Sequence, residues 1–304
     1  MSWTTLPLVP FALATLLSVN GAKSRKLSLS GAATAFVVGF SVMATPVRGI
    51  GTSLIVFYLV ASQATKYGKR RKAQLEEGFQ DAGNRTGWQV VCNSLVAFIA
   101  SIVWSSTFAP DVLPWSLVAH TLRTPRGPVY VSDSWCPMSP TVFDGWSRAL
   151  VFATLGQFAC CLGDTLASEL GILSKSPPIL ITTLKAVPPG TNGGVSLGGT
   201  IASIAGGGLI GLTLFMSLVV ESSACRAECW GMAAGFLGSL LDSLLGATIQ
   251  RTRYSVDKKR VLQDTSTAGG DEAIKIVSGL NILSNNQVNL ISSTVAALVI
   301  ARLA

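Results

Sequence analysis

The chain has 304 residues, of which 49% are hydrophobic and only 12% charged, with a net charge of +8. Soluble domains carry about 25% charged residues, so this composition and a mean hydropathy of +0.51 exclude an ordinary soluble fold and predict an integral-membrane chain. Six cysteines without a Cys-x-x-Cys pair, and a single histidine at His120, exclude a zinc site.

A spanning helix needs about 20 mostly apolar residues. In chain order, eight segments meet that need: 4–20, 30–47, 49–64, 88–107, 148–173, 197–220, 227–249 and 288–304. The predicted fold class is all-α, a polytopic membrane helix bundle of about 8 transmembrane helices. It forms one integral-membrane domain over 1–304, with 108–147 as an extramembrane loop insertion. The first segment has no basic n-region and no small-residue cleavage site before Lys23, so it reads as a retained helix and not a signal peptide.

Basic residues set the orientation. The odd-numbered connections hold Lys23, Arg25 and Lys26, then Lys66, Lys69, Arg70, Arg71, Lys72 and Arg85, then Lys175 and Lys185, then Arg251, Arg253, Lys258, Lys259, Arg260 and Lys275. The even-numbered ones hold only Arg48, Arg123, Arg126, Arg148 and Arg226. The positive-inside rule therefore puts the odd loops in the cytosol and 108–147 in the lumen. The expected location is the endoplasmic reticulum or another endomembrane. Basic clusters beside helices also suit anionic headgroups, and no nucleic-acid partner is expected. The Asn84-Arg85-Thr86 sequon faces the cytosol and should stay unmodified. Cys225 and Cys229 are spaced to allow a disulfide on the oxidising side.

Ionisable groups inside a span are costly and mark function by default. The fifth segment holds Asp164 and Glu169, and the seventh holds Asp242. With no intramembrane lysine or arginine to neutralise them, three carboxylates predict a bound cation or a proton, and oxygen-only ligands suit magnesium. Asp164 and Asp242 both fall in the cytosolic half. Asn93 in the fourth segment and Asn285, Asn286 and Asn289 before the eighth lie at the same depth.

Between the fifth and sixth spans runs PPGTNGGVS, Pro188–Ser196, preceded by Lys185. Glycines free backbone N–H groups to face a phosphate, Lys185 supplies charge, and Thr191 and Ser196 supply hydroxyls. The loop opens a helix, whose N-terminus favours anions, although it is not a Walker A sequence. A plain turn and linker is the competing reading. Acids suited to magnesium beneath a phosphate-suited loop, beside lipid, point to phosphoryl or nucleotidyl transfer to a lipid.

GDTLASELGILSKSPPILITTLKAVPPGTNGGVSLGGT resembles the central motif of the transmembrane protein 19 family (domain of unknown function 92). The run Arg85-Thr86-Gly87-Trp88-Gln89-Val90-Val91-Cys92-Asn93 resembles its R-x3-QV-x2-N motif. GSLLDSLLGATIQ and Asn285–Asn289 are also similar, so the match covers nearly the whole chain in order. The family's plant member is a phytyl-phosphate kinase, and more distant relatives, phytol and dolichol kinases, use CTP. The resemblance implies a nucleoside triphosphate donor, CTP favoured, and an isoprenyl phosphate acceptor.

The resulting expectation is a membrane lipid kinase of phytyl-phosphate-kinase type. Asp164, Glu169 and Asp242 hold Mg2+ and nucleotide phosphates. Lys185, Thr191, Asn192, Gly193, Gly194 and Ser196 cradle the donor. Lys72 and Arg85 clamp the acceptor's monophosphate, and Asn93 and Asn286 orient metal or phosphates. The alternatives are a transporter or flippase for a lipid phosphate, in which the acids couple to protons or cations, and a non-catalytic membrane protein.

Overall fold

A computed structural model describes residues 7–77, 83–221, 225, 230–262 and 273–303. The apolar runs become helices: α1 Leu8–Lys23, α2 Leu29–Met43, α3 Arg48–Lys66, α6 Leu95–Phe108, α8 Trp146–Gly171, α9 Leu197–Glu221, α10 Trp230–Ile249 and α11 Asn285–Leu303. Short helices α4 Lys69–Leu75, α5 Gly87–Cys92 and α7 Trp115–Leu122 fill connections. Two helical stretches, Val142–Gly171 and Leu197–Glu221, are long and apolar enough to cross a membrane. Leu8–Lys23, Leu29–Met43, Leu95–Phe108 and Ala233–Ile249 are apolar but shorter.

The segment expected as one helix over 88–107 is two. Asn93 Nδ2 donates to Gln89 O at 2.7 Å and Ser94 Oγ to Val90 O at 2.6 Å. Polar side chains that bond back to the preceding turn compete with the helical ladder, and α5 ends at Cys92. Thr86 and Gln89 form a reciprocal capping box that starts α5.

α8 is the axis of the bundle. Every residue from Val151 to Gly163 is buried, because α3, α6, α9, α10 and α11 all pack on it. Three backbones meet closely at Gly163. A Cβ there would lie 2.9 Å from both Gly235 Cα on α10 and Ser203 O on α9, so only glycine lets these three backbones meet. Ser203 Oγ fastens the junction by donating to Gly235 O at 2.8 Å.

Odd and even connections gather at opposite ends. At the even end, Arg48 N donates to Glu221 Oε2 at 3.0 Å and Tyr130 Oη to Glu221 Oε1 at 2.9 Å. Burial, reinforced by the charge of Glu221, pushes the Tyr130 hydroxyl well above its usual range. Trp104, Phe108, Tyr130, Trp135 and Phe143 form an edge-to-face and tilted aromatic cluster that ties 108–147 to α6. Cys136 is disulfide-bonded to Cys225, 89 residues away. This corrects the suggested Cys225–Cys229 pairing; Cys229 lies outside the described residues.

The odd end carries strands, which corrects the all-α expectation in the loops while the body stays helical. β1 Glu76–Glu77, β4 Thr252–Ser255, β5 Arg260–Leu262 and β6 Ile274–Ser278 form a sheet in the order β1-β5-β4-β6. β1 pairs parallel with β5, and the other pairings are antiparallel. β2 Ile179–Leu180 and β3 Gly194–Val195 form a second, two-stranded pair. The first odd connection is stitched to the second, with Ser28 N donating to Arg85 O at 3.0 Å and Arg85 N to Lys26 O at 2.9 Å.

Candidate functional site

The Gly163 junction decides where the acids go. Asp164 follows Gly163 on α8, and α10 presses against it, so the carboxylates of Asp164 and Asp242 interact electrostatically. Both side chains keep partial exposure. α11 supplies the rest of the cluster. Ser292 Oγ donates to Asp242 Oδ2 at 3.1 Å. With its amide oriented to suit its neighbours, Asn289 donates to the same oxygen at 3.1 Å and to Asn285 O at 3.1 Å. Cys160 reaches Ser292, and Cys161 reaches Gln157 and Ser293. Of these partners, the sequence places Asn289 at this depth but does not single out Ser292. Ser292 and Asn289 are three residues apart on α11, so one face presents both.

Glu169 does not join this cluster. Lys72 Nζ donates to Glu169 Oε2 at 2.6 Å and to Ala64 O and Thr65 O at 2.8 and 3.3 Å. Lys72 is 2% exposed. Two corrections follow. Glu169 has a basic partner, and Lys72 is a buried structural cation, not an open clamp. The reason is helical phase: five residues carry Glu169 about 140° around α8 from Asp164. Among the described residues, no three His, Cys, Asp or Glu side chains converge as a metal cage. Glu169 therefore lies apart from the Asp164–Asp242 pair with which the sequence groups it.

An Asp pair with hydroxyl and amide neighbours still fits Mg2+. That ion is usually held by one or two carboxylates together with substrate phosphates and waters, not by an all-protein cage.

The glycine loop docks on α10 one turn beyond Asp242. Gly246 faces it: a Cβ there would lie 3.1 Å from Gly193 N. Its amides are largely engaged within the protein, which corrects the open cradle. Thr191 N donates to Pro188 O at 3.2 Å, Asn192 N to Thr252 Oγ1 at 3.0 Å and Gly194 N to Thr191 O at 2.9 Å. Thr191 Oγ1 also bonds Pro188 O at 2.6 Å. Ser196 Oγ accepts from Gly199 N at 3.1 Å and caps α9. Ser278 Oγ donates to Asn192 O at 3.3 Å and to Thr252 Oγ1 at 3.1 Å. The loop is thus a wedge joining α10, α9 and the sheet. The side chain of Lys185 is exposed beside it.

Gly193 shows how tightly the wedge fits. Its φ is +77°, and a Cβ would lie 2.4 Å from Ala247 Cβ and 2.6 Å from Ser243 O. Gly193→Ala is expected to destabilise the protein by about 2–4 kcal/mol, combining left-handed backbone strain and overpacking. Gly198→Ala, at an exposed helical position with open space around it, should be neutral or slightly stabilising. Thermal unfolding of both variants in detergent checks the contrast.

Of the remaining expected residues, Asn93 uses its amide on Gln89 O. Asn286 sits half-buried in the first turn of α11, three residues before the asparagine that reaches Asp242. Arg85 lies beside Glu169 and donates Nη2 to Thr65 Oγ1 at 3.3 Å. It is on the Lys72 side of the odd end.

The profile of the integral membrane protein family DUF92 matches residues 12–297. Protein PGR of Arabidopsis thaliana is 32% identical over 289 residues, covering 92% of this chain and 90% of its own. An uncharacterized membrane protein of Methanocaldococcus jannaschii is 38% identical over 107 residues, covering 35% of this chain and 43% of its own. Protein VTE6, chloroplastic, of Arabidopsis thaliana is 31% identical over 106 residues, covering 34% of this chain and 31% of its own. No solved structure matches. A bundle built on a buried α8, with the sequence motifs in chain order and a profile match along almost its full length, has one reading: the chain belongs to the DUF92 family of integral membrane proteins.

Proposed function

We propose that this chain is an integral-membrane phosphotransferase that moves a phosphoryl group from a nucleoside triphosphate to an isoprenoid monophosphate. The observation that carries the reading is the pair Asp164 and Asp242. Two carboxylates from separate helices are held together in an apolar bundle and fixed by Ser292 and Asn289. A like-charged pair in that setting is costly without a cation. The family resemblance supplies the acceptor class and favours CTP as donor.

In this scheme Asp164 and Asp242 would hold Mg2+, whose charge would offset that of the donor's polyphosphate. Ser292 and Asn289 keep Asp242 aimed, and the wedge at 191–194 sets where α10 ends. An oxygen of the acceptor monophosphate attacks the terminal phosphorus of the donor. The new P–O bond forms as the bond to the leaving diphosphate breaks, and the nucleoside diphosphate departs with that electron pair. A phosphate monoester loses its second proton near pH 6, so no side chain must act as base.

The scheme includes eight membrane crossings, with the active face toward the cytosol in the endoplasmic reticulum or another endomembrane. Two arguments support that orientation: the basic residues crowd the odd loops, and the Cys136–Cys225 bond at the other end suits an oxidising lumen.

The test is incubation of the purified protein in detergent with Mg2+, each labelled nucleoside triphosphate and a panel of isoprenyl monophosphates. Label should pass to a lipid diphosphate, and chelation should stop it. Movement of a lipid phosphate across sealed vesicles without nucleotide would instead identify a transporter or flippase. Retained cellular function in Asp242→Asn would identify a non-catalytic role.

A further inference from the structure

A second polar cluster lies at the odd end, on α3. Tyr58, Ser62 and Thr65 are four and three residues apart and share one face. Arg85 reaches that face from the turn before α5 through its bond to Thr65, and it lies within electrostatic reach of Glu169 and close to Tyr58. Lys26 Nζ sits over the Tyr58 ring, 5.7 Å from its centroid. The backbone stitch between Arg85 N and Lys26 O at 2.9 Å holds these two cations together. Lys66 adds a third charge that Lys26 senses.

The nearby carboxylate, Glu169, is already paired with Lys72. Lys72 and Arg85 thus lie beside this acid, while Lys26 and Lys66 add positive charge next to Arg85 and to each other. Burial lowers the Arg85 pKa from its ordinary value, with Glu169 opposing that effect. Two hydroxyls complete the picture. Tyr58 Oη and Ser62 Oγ are enclosed and have no hydrogen-bond partner, and Ser62 is only 4% exposed. Buried hydroxyls are nearly always partnered, so two orphans beside surplus positive charge imply an absent acceptor.

We infer that Arg85, Lys26, Tyr58 and Ser62 form a pocket for a phosphate monoester dianion. The cations supply charge-assisted hydrogen bonds, and each hydroxyl supplies one donor. Glu169 is five residues beyond Asp164, about 7.5 Å along the axis of α8. The pocket therefore lies about 7.5 Å along α8 from the acid pair and on another face of that helix. The adjoining α2 and α3 surfaces expose Leu29 and Leu59, as an isoprenyl tail requires. That the occupant is the kinase acceptor rests on the proposed function; that the pocket takes a phosphate monoester does not.

The experiment measures equilibrium binding of radiolabelled inorganic phosphate, farnesyl monophosphate and farnesol to the full chain in detergent, without nucleotide. Arg85→Gln should weaken both phosphates by more than tenfold, and Tyr58→Phe and Ser62→Ala by about tenfold each. These two variants should melt no lower than wild type, because each removes a hydroxyl that lacks a partner. Gly198→Ala, altered at an exposed position outside both sites, should bind both phosphates normally. Farnesol should not compete. Tighter binding of farnesyl monophosphate than phosphate identifies the lipid phosphate as occupant, and equal binding identifies free phosphate. Unchanged affinity in both Tyr58→Phe and Ser62→Ala, or no phosphate binding by the wild type, would overturn the pocket. Neither result depends on whether phosphoryl transfer is ever observed.

Discussion

Asp164→Asn is expected to lower phosphoryl-transfer turnover about 10³-fold, the order reached when one strong electrostatic contact to a transition state is removed. The amide keeps the shape of the side chain and loses the charge that holds a divalent ion. Folding should not suffer. In the unliganded protein Asp164 faces Asp242, and removing one of two neighbouring like charges relieves repulsion. The variant should therefore melt at or above the wild-type temperature while its Mg2+-dependent stabilisation disappears. Inactivity with unchanged or raised thermal stability is a signature of a functional acid. A variant that is both inactive and destabilised would mean Asp164 is structural and would remove the catalytic reading.

Lys72→Met is expected to destabilise the protein by about 3–5 kcal/mol, the usual cost of stripping one partner from a buried ion pair. Lys72 bonds one carboxylate and two backbone carbonyls, so its loss leaves Glu169 and the end of α3 unsatisfied together. Arg85 lies within electrostatic reach of Glu169, which should keep the loss nearer the lower figure. Glu169→Leu should also be costly, while the double change Lys72→Met with Glu169→Leu should cost less than either alone, because no charge remains uncompensated. Unfolding of the four proteins in detergent measures the cycle. Additive losses would show that the two side chains act separately.

Much of this architecture was legible in the sequence, and the reasons differ by feature. Helices follow from uninterrupted apolar runs, and the segregation of connections to two ends follows from where lysine and arginine fall. The meeting of Asp164 with Asp242 was readable as shared depth, because each lies in the C-terminal half of a segment running the same way. Glu169 could also have been separated from them by counting, since five residues place it on another face of α8.

Its partner could not be found that way. Lys72 is 97 residues distant and sits among four consecutive basic residues that composition cannot rank. The strands at 252–255, 260–262 and 274–278 were hidden by treating that connection only as a source of charge. Their β-branched and aromatic residues, as in Thr252-Arg253-Tyr254 and Ile274-Lys275-Ile276-Val277, carried a signal of their own. The glycine loop misled for a physical reason. Glycine that exposes amides and glycine that lets a backbone lie flat on a helix look the same in one dimension.

The covalent bond from Cys136 to Cys225 bears on how traffic can pass through such a molecule. It straps the stretch before α8 to the stretch after α9, across the very helices that flank the acid pair. A rocking carrier must part its two halves first on one side and then on the other. Here the stretches before α8 and after α9 are covalently tied, so a motion that parts those two stretches is resisted at this end and is left to the opposite one.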